Sequence, residues 1–130
     1  MKKYRQLTTE LTFRCNAKCP ACHRVKPLRI NLNDKKYTIT LDKFREIISY
    51  VKEHDTRILI HTNGGIHGHD YWTDVGNILT NRDIINFDMD GLADTHSKYR
   101  INTKFEDVFS NACSVIKANT AQVHWKYIVF

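Results

Sequence analysis

RILIHTNGG, residues 57–65, is a short apolar run followed by a turn at Asn63-Gly64-Gly65. That combination suits a buried strand of a parallel sheet. Helical patterns flank it on both sides. Upstream, Thr40 is a plausible N-cap for a helix with Leu41, Phe44, Ile47, Ile48 and Val51 at three- and four-residue intervals, ending near His54. Downstream, a weaker helical pattern places Trp72, Val75, Ile78 and Leu79 on one face. Tyr71 and Trp72 read as core residues.

The alternation continues outward. Ile84 to Met89, IINFDM, reads as another strand, closed by Asp90-Gly91. Thr103-Lys-Phe-Glu106 has the form of a capping box opening the clearest helix, with Phe105, Val108, Phe109, Ala112, Val115 and Ile116 on its buried stripe. Cys113 lies near that stripe as a small hydrophobe. Val123 to Phe130, VHWKYIVF, is strand-like and runs to the last residue, so the chain looks cut short inside a core strand. Near the N-terminus, residues 7–13, LTTELTF, alternate Leu7, Leu11 and Phe13 with polar positions, as expected of a first strand leading into a cysteine-bearing loop. Residues 24–37, with Pro27, Asn31, Asn33 and Asp34, read as an irregular connection. Strands alternating with helices predict an α/β chain built from βαβ units on a parallel sheet.

The 130 residues, 42% hydrophobic and 26% charged, are expected to form one domain or a piece of one. No run approaches the roughly 18 to 20 apolar residues of a membrane span, and MKKYRQLTTE lacks a secretory apolar segment, so the expectation is a cytoplasmic chain with no membrane partner. The formal net charge of +6 is spread over scattered lysines and arginines. A solvated surface is favoured over a nucleic-acid patch, and a basic nucleic-acid binder ranks last among the alternatives.

Three of the four cysteines fall within eight residues, in the spacing Cys15-x3-Cys19-x2-Cys22. That clustering favours metal binding over a disulfide framework. A closed zinc site would need a fourth ligand. His23 is nearest but adjoins Cys22, and His61, His67, His69 or Cys113 would have to close the site from a distance. A three-cysteine 4Fe-4S cluster instead leaves one iron open to a reacting ligand. A zinc-stabilised or degenerate cluster-carrying module without catalysis remains the competing possibility.

The CxxxCxxC loop after a first strand resembles the signature of the radical S-adenosylmethionine enzymes. Two later landmarks extend the resemblance. Thr62-Asn63-Gly64, although on spacing alone an ordinary turn, resembles the TNG turn after a middle strand of that family. Phe87-Asp88-Met89-Asp90-Gly91, followed by His96 and Lys98-Tyr99-Arg100, resembles the S-x-D-G...H...Y-R stretch of its sulfatase-maturating and peptide-modifying subgroup. The resemblance implies a shortened, partial (β/α) barrel carrying a 4Fe-4S cluster on Cys15, Cys19 and Cys22. It also implies an S-adenosylmethionine site touched by Ala21, Asn63, Asp88 and Arg100, an electron donor as partner, and a substrate of unknown identity, peptide being the subgroup's hint.

Three departures accompany it. Ala21 replaces an aromatic residue, Asp88 replaces a serine, and no Gly-rich GGE-type turn for the methionyl amine occurs between Cys22 and Arg57. Asp90 reads as a structural residue of the strand-end turn. A full (β/α)8 barrel runs to about 250 residues, so only part of one fits here.

Overall fold

The computed structural model describes residues 5–12, 14–20, 22, 38–118 and 121–128. The connection read at 24–37, together with Phe13, Ala21 and His23, lies outside the described residues. Four strands, β1 (Arg5–Thr9), β2 (Thr56–Thr62), β3 (Ile84–Asp88) and β4 (Gln122–Lys126), form one sheet in the order β1-β2-β3-β4 with every pairing parallel. The helices are α1 (Leu41–Glu53), α2 (His69–Ile78), a single turn α3 (His96–Tyr99) and α4 (Phe105–Ala118). The α/β class and the parallel sheet expected from the alternation are therefore present.

Sequential strand order has a direct physical consequence. Right-handed crossovers that always step to the next strand put successive helices on one side of the sheet. There α1 packs on β2 and α2, while α4 packs on α2 and β4. Side chains alternate along each strand, so Ile58 and Ile60 of β2 and Ile85 and Phe87 of β3 point to the helices and are wholly buried. They meet Val75 of α2 and Val108 and Val115 of α4 in one core. Each such Ile or Phe contributes about 1.5–3 kcal/mol by leaving water. Arg57, Leu59 and His61 of β2 and Ile84, Asn86 and Asp88 of β3 alternate to the other face, where they are only half-buried.

Local chemistry explains the element ends. The Thr40 hydroxyl accepts from the Lys43 amide at 3.2 Å, the N-cap expected for α1. Buried Asp83 bolts the start of β3 to its surroundings. One carboxylate oxygen accepts from the Ile58 amide at 2.9 Å, and the other from the Thr80 amide and hydroxyl, both at 2.8 Å.

Several expectations are corrected. The first strand is Arg5–Thr9 and not 7–13: Leu11 is buried beyond the strand end, and Thr12 bridges to Thr38. Thr103 does not cap α4, which starts at Phe105. Its hydroxyl donates to the Arg100 carbonyl at 2.7 Å and lies 2.9 Å from His96 Nε2. Phe109 and Ile116 are exposed, and the buried stripe of α4 instead includes polar Asn111 and Ser114. The last strand ends at Lys126 and is mostly exposed, with Trp125, Tyr127 and Ile128 outside the core. Among the described residues no helix is long and apolar enough to cross a membrane.

Candidate functional site

In parallel α/β sheets, ligands gather at the carboxyl ends of the strands. Here β1, β2 and β3 end around a cavity of about 170 Å³, bordered by Cys15, Cys19, Cys22, His61, Asn63, Asp88 and Arg100. Residues as far apart in the chain as Cys15 and Arg100 thus face one space. The volume lies below the roughly 300–1,000 Å³ of small-molecule pockets. It has room for a compact group.

The loop from Arg14 to Cys22 is held by hydrogen bonds from three directions. The Lys18 amide donates to the Ile101 carbonyl at 2.9 Å, and the Asn16 amide group donates to the Gly65 carbonyl at 2.9 Å. The Cys22 amide donates to the Cys19 carbonyl at 3.2 Å, turning the chain between the last two thiols. Asn63 is the link to β2. Its side-chain NH2 donates to Cys15 Sγ at 3.0 Å and to Asn16 Oδ1 at 3.2 Å, while its own Oδ1 accepts from the Gly65 amide at 3.0 Å.

All three thiols are free. Burial pushes the Cys19 thiol above its usual pKa, with the nearby Cys15 and Cys22 adding to the rise and the Arg100 charge opposing it. A bound metal cation would reverse that balance, because it takes the deprotonated thiolate. Among the described residues no three His, Cys, Asp or Glu side chains converge on a point where a single metal ion could sit. Cluster ligation differs in that each thiolate takes its own iron rather than sharing one ion. Three free thiols around one cavity, one of them receiving an N–H, fit that donor set.

Of the histidines that might have closed a zinc site, only His61 borders the cavity among the described residues, and its Nδ1 lies 3.4 Å from the Asn86 amide group. His69 lies between the hydroxyls of Ser114, at 2.9 Å, and Ser110, at 3.3 Å. His67 stacks on Tyr71 with ring centroids 4.0 Å apart. Cys113 sits on α4, away from the cavity-lining residues.

Behind the thiols lies a buried charge network. Arg100 Nε donates to Asp90 Oδ2 at 2.6 Å, and a terminal nitrogen of the same guanidinium is 3.8 Å from Asp88. Burial opposes the Arg100 charge, but its hydrogen bond to Asp90 and the attraction of both carboxylates hold its pKa above the ordinary value. Asp88 is pushed up by burial, against the pull of Arg100, Lys126 and His61. Arg100 is positioned in turn by His96. The Arg100 amide donates to the His96 carbonyl at 2.9 Å, and Thr103 bridges the imidazole to the Arg100 carbonyl. Because the Thr103 hydroxyl gives its proton to that carbonyl, His96 Nε2 must be the donor to Thr103. Burial, then the Arg100 charge, lowers the His96 pKa and keeps the ring neutral.

The sequence pointed to the three cysteines, Asn63, Asp88 and Arg100, and the fold brings all six to one cavity. It did not single out Asn16 or Asn111, and it read Thr103 only as a helix cap. Buried Asn111 donates to the Gly64 carbonyl at 2.8 Å and the His67 carbonyl at 3.3 Å, fixing the turn after β2 from α4. A signal for it existed: an amide lies three residues after Val108 and four before Val115, inside an apolar stripe. Asp90 is structural, as expected, with Arg100 and the Ile128 amide as its partners. β1 pairs directly with the strand that ends in Thr62, so the sheet places no strand between the cysteine loop and the Asn63 turn. Compared with known proteins, the chain matches no family model, no curated protein and no solved structure.

Proposed function

We propose that the chain is a radical S-adenosylmethionine protein whose sheet is the wall of a shortened (β/α) barrel. The observation that carries it is the meeting of Cys15, Cys19 and Cys22 with Asn63, Asp88 and Arg100 around one cavity at the strand ends. A 4Fe-4S cluster on those thiols, reduced by an electron donor, would supply the electron for reductive cleavage of S-adenosylmethionine to methionine and a 5'-deoxyadenosyl radical able to take a hydrogen atom from a substrate.

The chain's own residues have definite parts in that chemistry. Cys15, Cys19 and Cys22 would hold the cluster, a donor set of three that would leave one iron without a protein ligand. Asn63 pins Cys15 and ties the cysteine loop to the end of β2. Arg100 and Asp88 set the charge at the cavity mouth. The half-buried face of the sheet bearing His61 and Asn86 is left for a substrate, for which a peptide is the class suggested by the subgroup resemblance. Such thiols require a reducing compartment such as the cytoplasm.

The test is anaerobic reconstitution with iron and sulfide, followed by electron paramagnetic resonance of the reduced protein with and without S-adenosylmethionine. A reduced-cluster signal that shifts on adding the cofactor is expected. A cluster indifferent to the cofactor would reduce the chain to a cluster carrier, and a colourless zinc-bound protein that forms no cluster would sink the proposal.

A further inference from the structure

The charges at the cavity mouth do not balance. Asp90 is fully buried, and both of its oxygens are engaged, one by Arg100 Nε at 2.6 Å and the other by the Ile128 amide at 2.8 Å. The single guanidinium charge is therefore already matched by Asp90. Asp88 stands 3.8 Å from the same guanidinium, as a second carboxylate on one cation. Its Oδ1 is sealed from solvent and has no hydrogen-bond partner. Lys126, its register partner on β4, and His61 on β2 add positive potential without bonding to it.

A buried carboxylate oxygen without a partner is costly, and such a group in a native fold calls for an explanation. Asp88 borders the same cavity as the three thiols, so a ligand seated against a cluster there passes beside it. Residual negative charge in a partly buried site selects a donor that carries or shares positive charge over a neutral hydroxyl. S-adenosylmethionine offers two cationic centres. The sulfonium has no hydrogen to give, whereas the amine does. We propose that Asp88 is the receptor for the amine of the cofactor's amino-acid end, its carboxylate turning toward the cavity to accept an N–H from that amine.

The assignment rests on the cofactor reading above and refines it. It also gives the two acidic residues separate duties: Asp90 neutralises Arg100, and Asp88 faces the ligand. The carboxylate would accept equally from a protonated amine or from one bound to a metal, since both retain N–H bonds.

Isothermal titration calorimetry on the cluster-loaded chain, under anaerobic conditions, tests the assignment with two ligands. One is S-adenosylmethionine; the other is its deaminated analogue, which carries a keto group in place of the amine. Asp88→Asn and Asp88→Ala are expected to weaken S-adenosylmethionine by about 10- to 100-fold, the range of one hydrogen bond to a charged group, and to leave the analogue nearly unchanged. Circular dichroism of both variants checks that the fold is retained. Wild-type affinity for S-adenosylmethionine in the variants would overturn the assignment, as would equal losses for both ligands, which would point to a ribose hydroxyl. A cluster-loaded wild-type chain that binds neither ligand would instead remove the cofactor reading itself, and the assignment with it.

Discussion

Gly64 is the residue on which the cavity's geometry turns, and replacing it by alanine has a cost that can be worked from the structure. Its φ is +65°, in the left-handed region that L side chains avoid. A Cβ there would lie 2.6 Å from Phe87 Cδ1, 2.9 Å from Phe87 Cε1 and 2.9 Å from Val108 Cγ1. The backbone conformation costs about 1–2 kcal/mol for a non-glycine residue, and forcing a methyl into packed core costs about 1–3 kcal/mol. Together they predict that Gly64→Ala loses about 2–5 kcal/mol, a large share of the roughly 5–15 kcal/mol that holds a domain folded. Urea unfolding of the iron-free chain reads this as a midpoint lowered by roughly 1–3 M. Gly65→Ala is the internal control. Its Cβ would meet the Asn16 side chain at 3.1 Å and the Thr103 methyl at 3.2 Å, contacts that yield with small shifts, and about 1 kcal/mol or less is expected. Because Asn63 joins Gly64 to Cys15, the Gly64 variant should also retain less iron after reconstitution. A Gly64→Ala midpoint equal to wild type would show that the turn does not have this conformation in solution.

Other perturbations give equally definite outcomes. Burial raises the Asp88 pKa above its usual 3.8, so ionised Asp88 destabilises the native chain at neutral pH; Asp88→Asn should unfold at higher urea than wild type at pH 7, with the difference closing as pH falls toward 3.8, and a less stable variant at pH 7 would contradict this. His96 has the opposite sign: its folded pKa lies below 6.5, so its contribution is present above pH 6.5 and lost as pH falls through the folded value. His96→Gln should therefore flatten the fall in urea midpoint between pH 7 and pH 5, whereas parallel curves would exclude the ring as a source. Asp83→Ala strands the Ile58 and Thr80 amides, and a loss of about 2–5 kcal/mol is expected; a change under about 1 kcal/mol in chemical denaturation would mean that β2 and β3 are not joined there.

Much of the framework was legible because it depends on local pattern. Thr40 and the three- and four-residue spacing from Leu41 to Val51 specify α1 almost to the residue, and the apolar run before Asn63-Gly64 specifies β2. The cysteine spacing likewise announces itself at short range. What pattern does not carry is competition between partners. Thr103 and Glu106 satisfy the capping-box formula, yet the Thr103 hydroxyl is drawn to the Arg100 carbonyl and the His96 ring, contacts made by a turn the sequence does not advertise. Phe109 and Ile116 fit the helical period of α4, but α2 and β4 cover only one side of it, and Asn111 takes a buried place because the Gly64 carbonyl needs a donor. Arg100 was recognisable as a site residue, while its pairing with Asp90 required the two strand-end segments to be seen folded together.

The one-sided cover of the sheet separates two kinds of inheritance within single strands. On β2, positions 58 and 60 answer to packing, while 57, 59 and 61 answer to whatever approaches the half-buried face; on β3, positions 85 and 87 belong to the first group and 84, 86 and 88 to the second. Neighbouring codons therefore serve different masters. Selection can rewrite the half-buried set one residue at a time without disturbing the interlocked set beneath it, so the scaffold can keep its shape while that face changes.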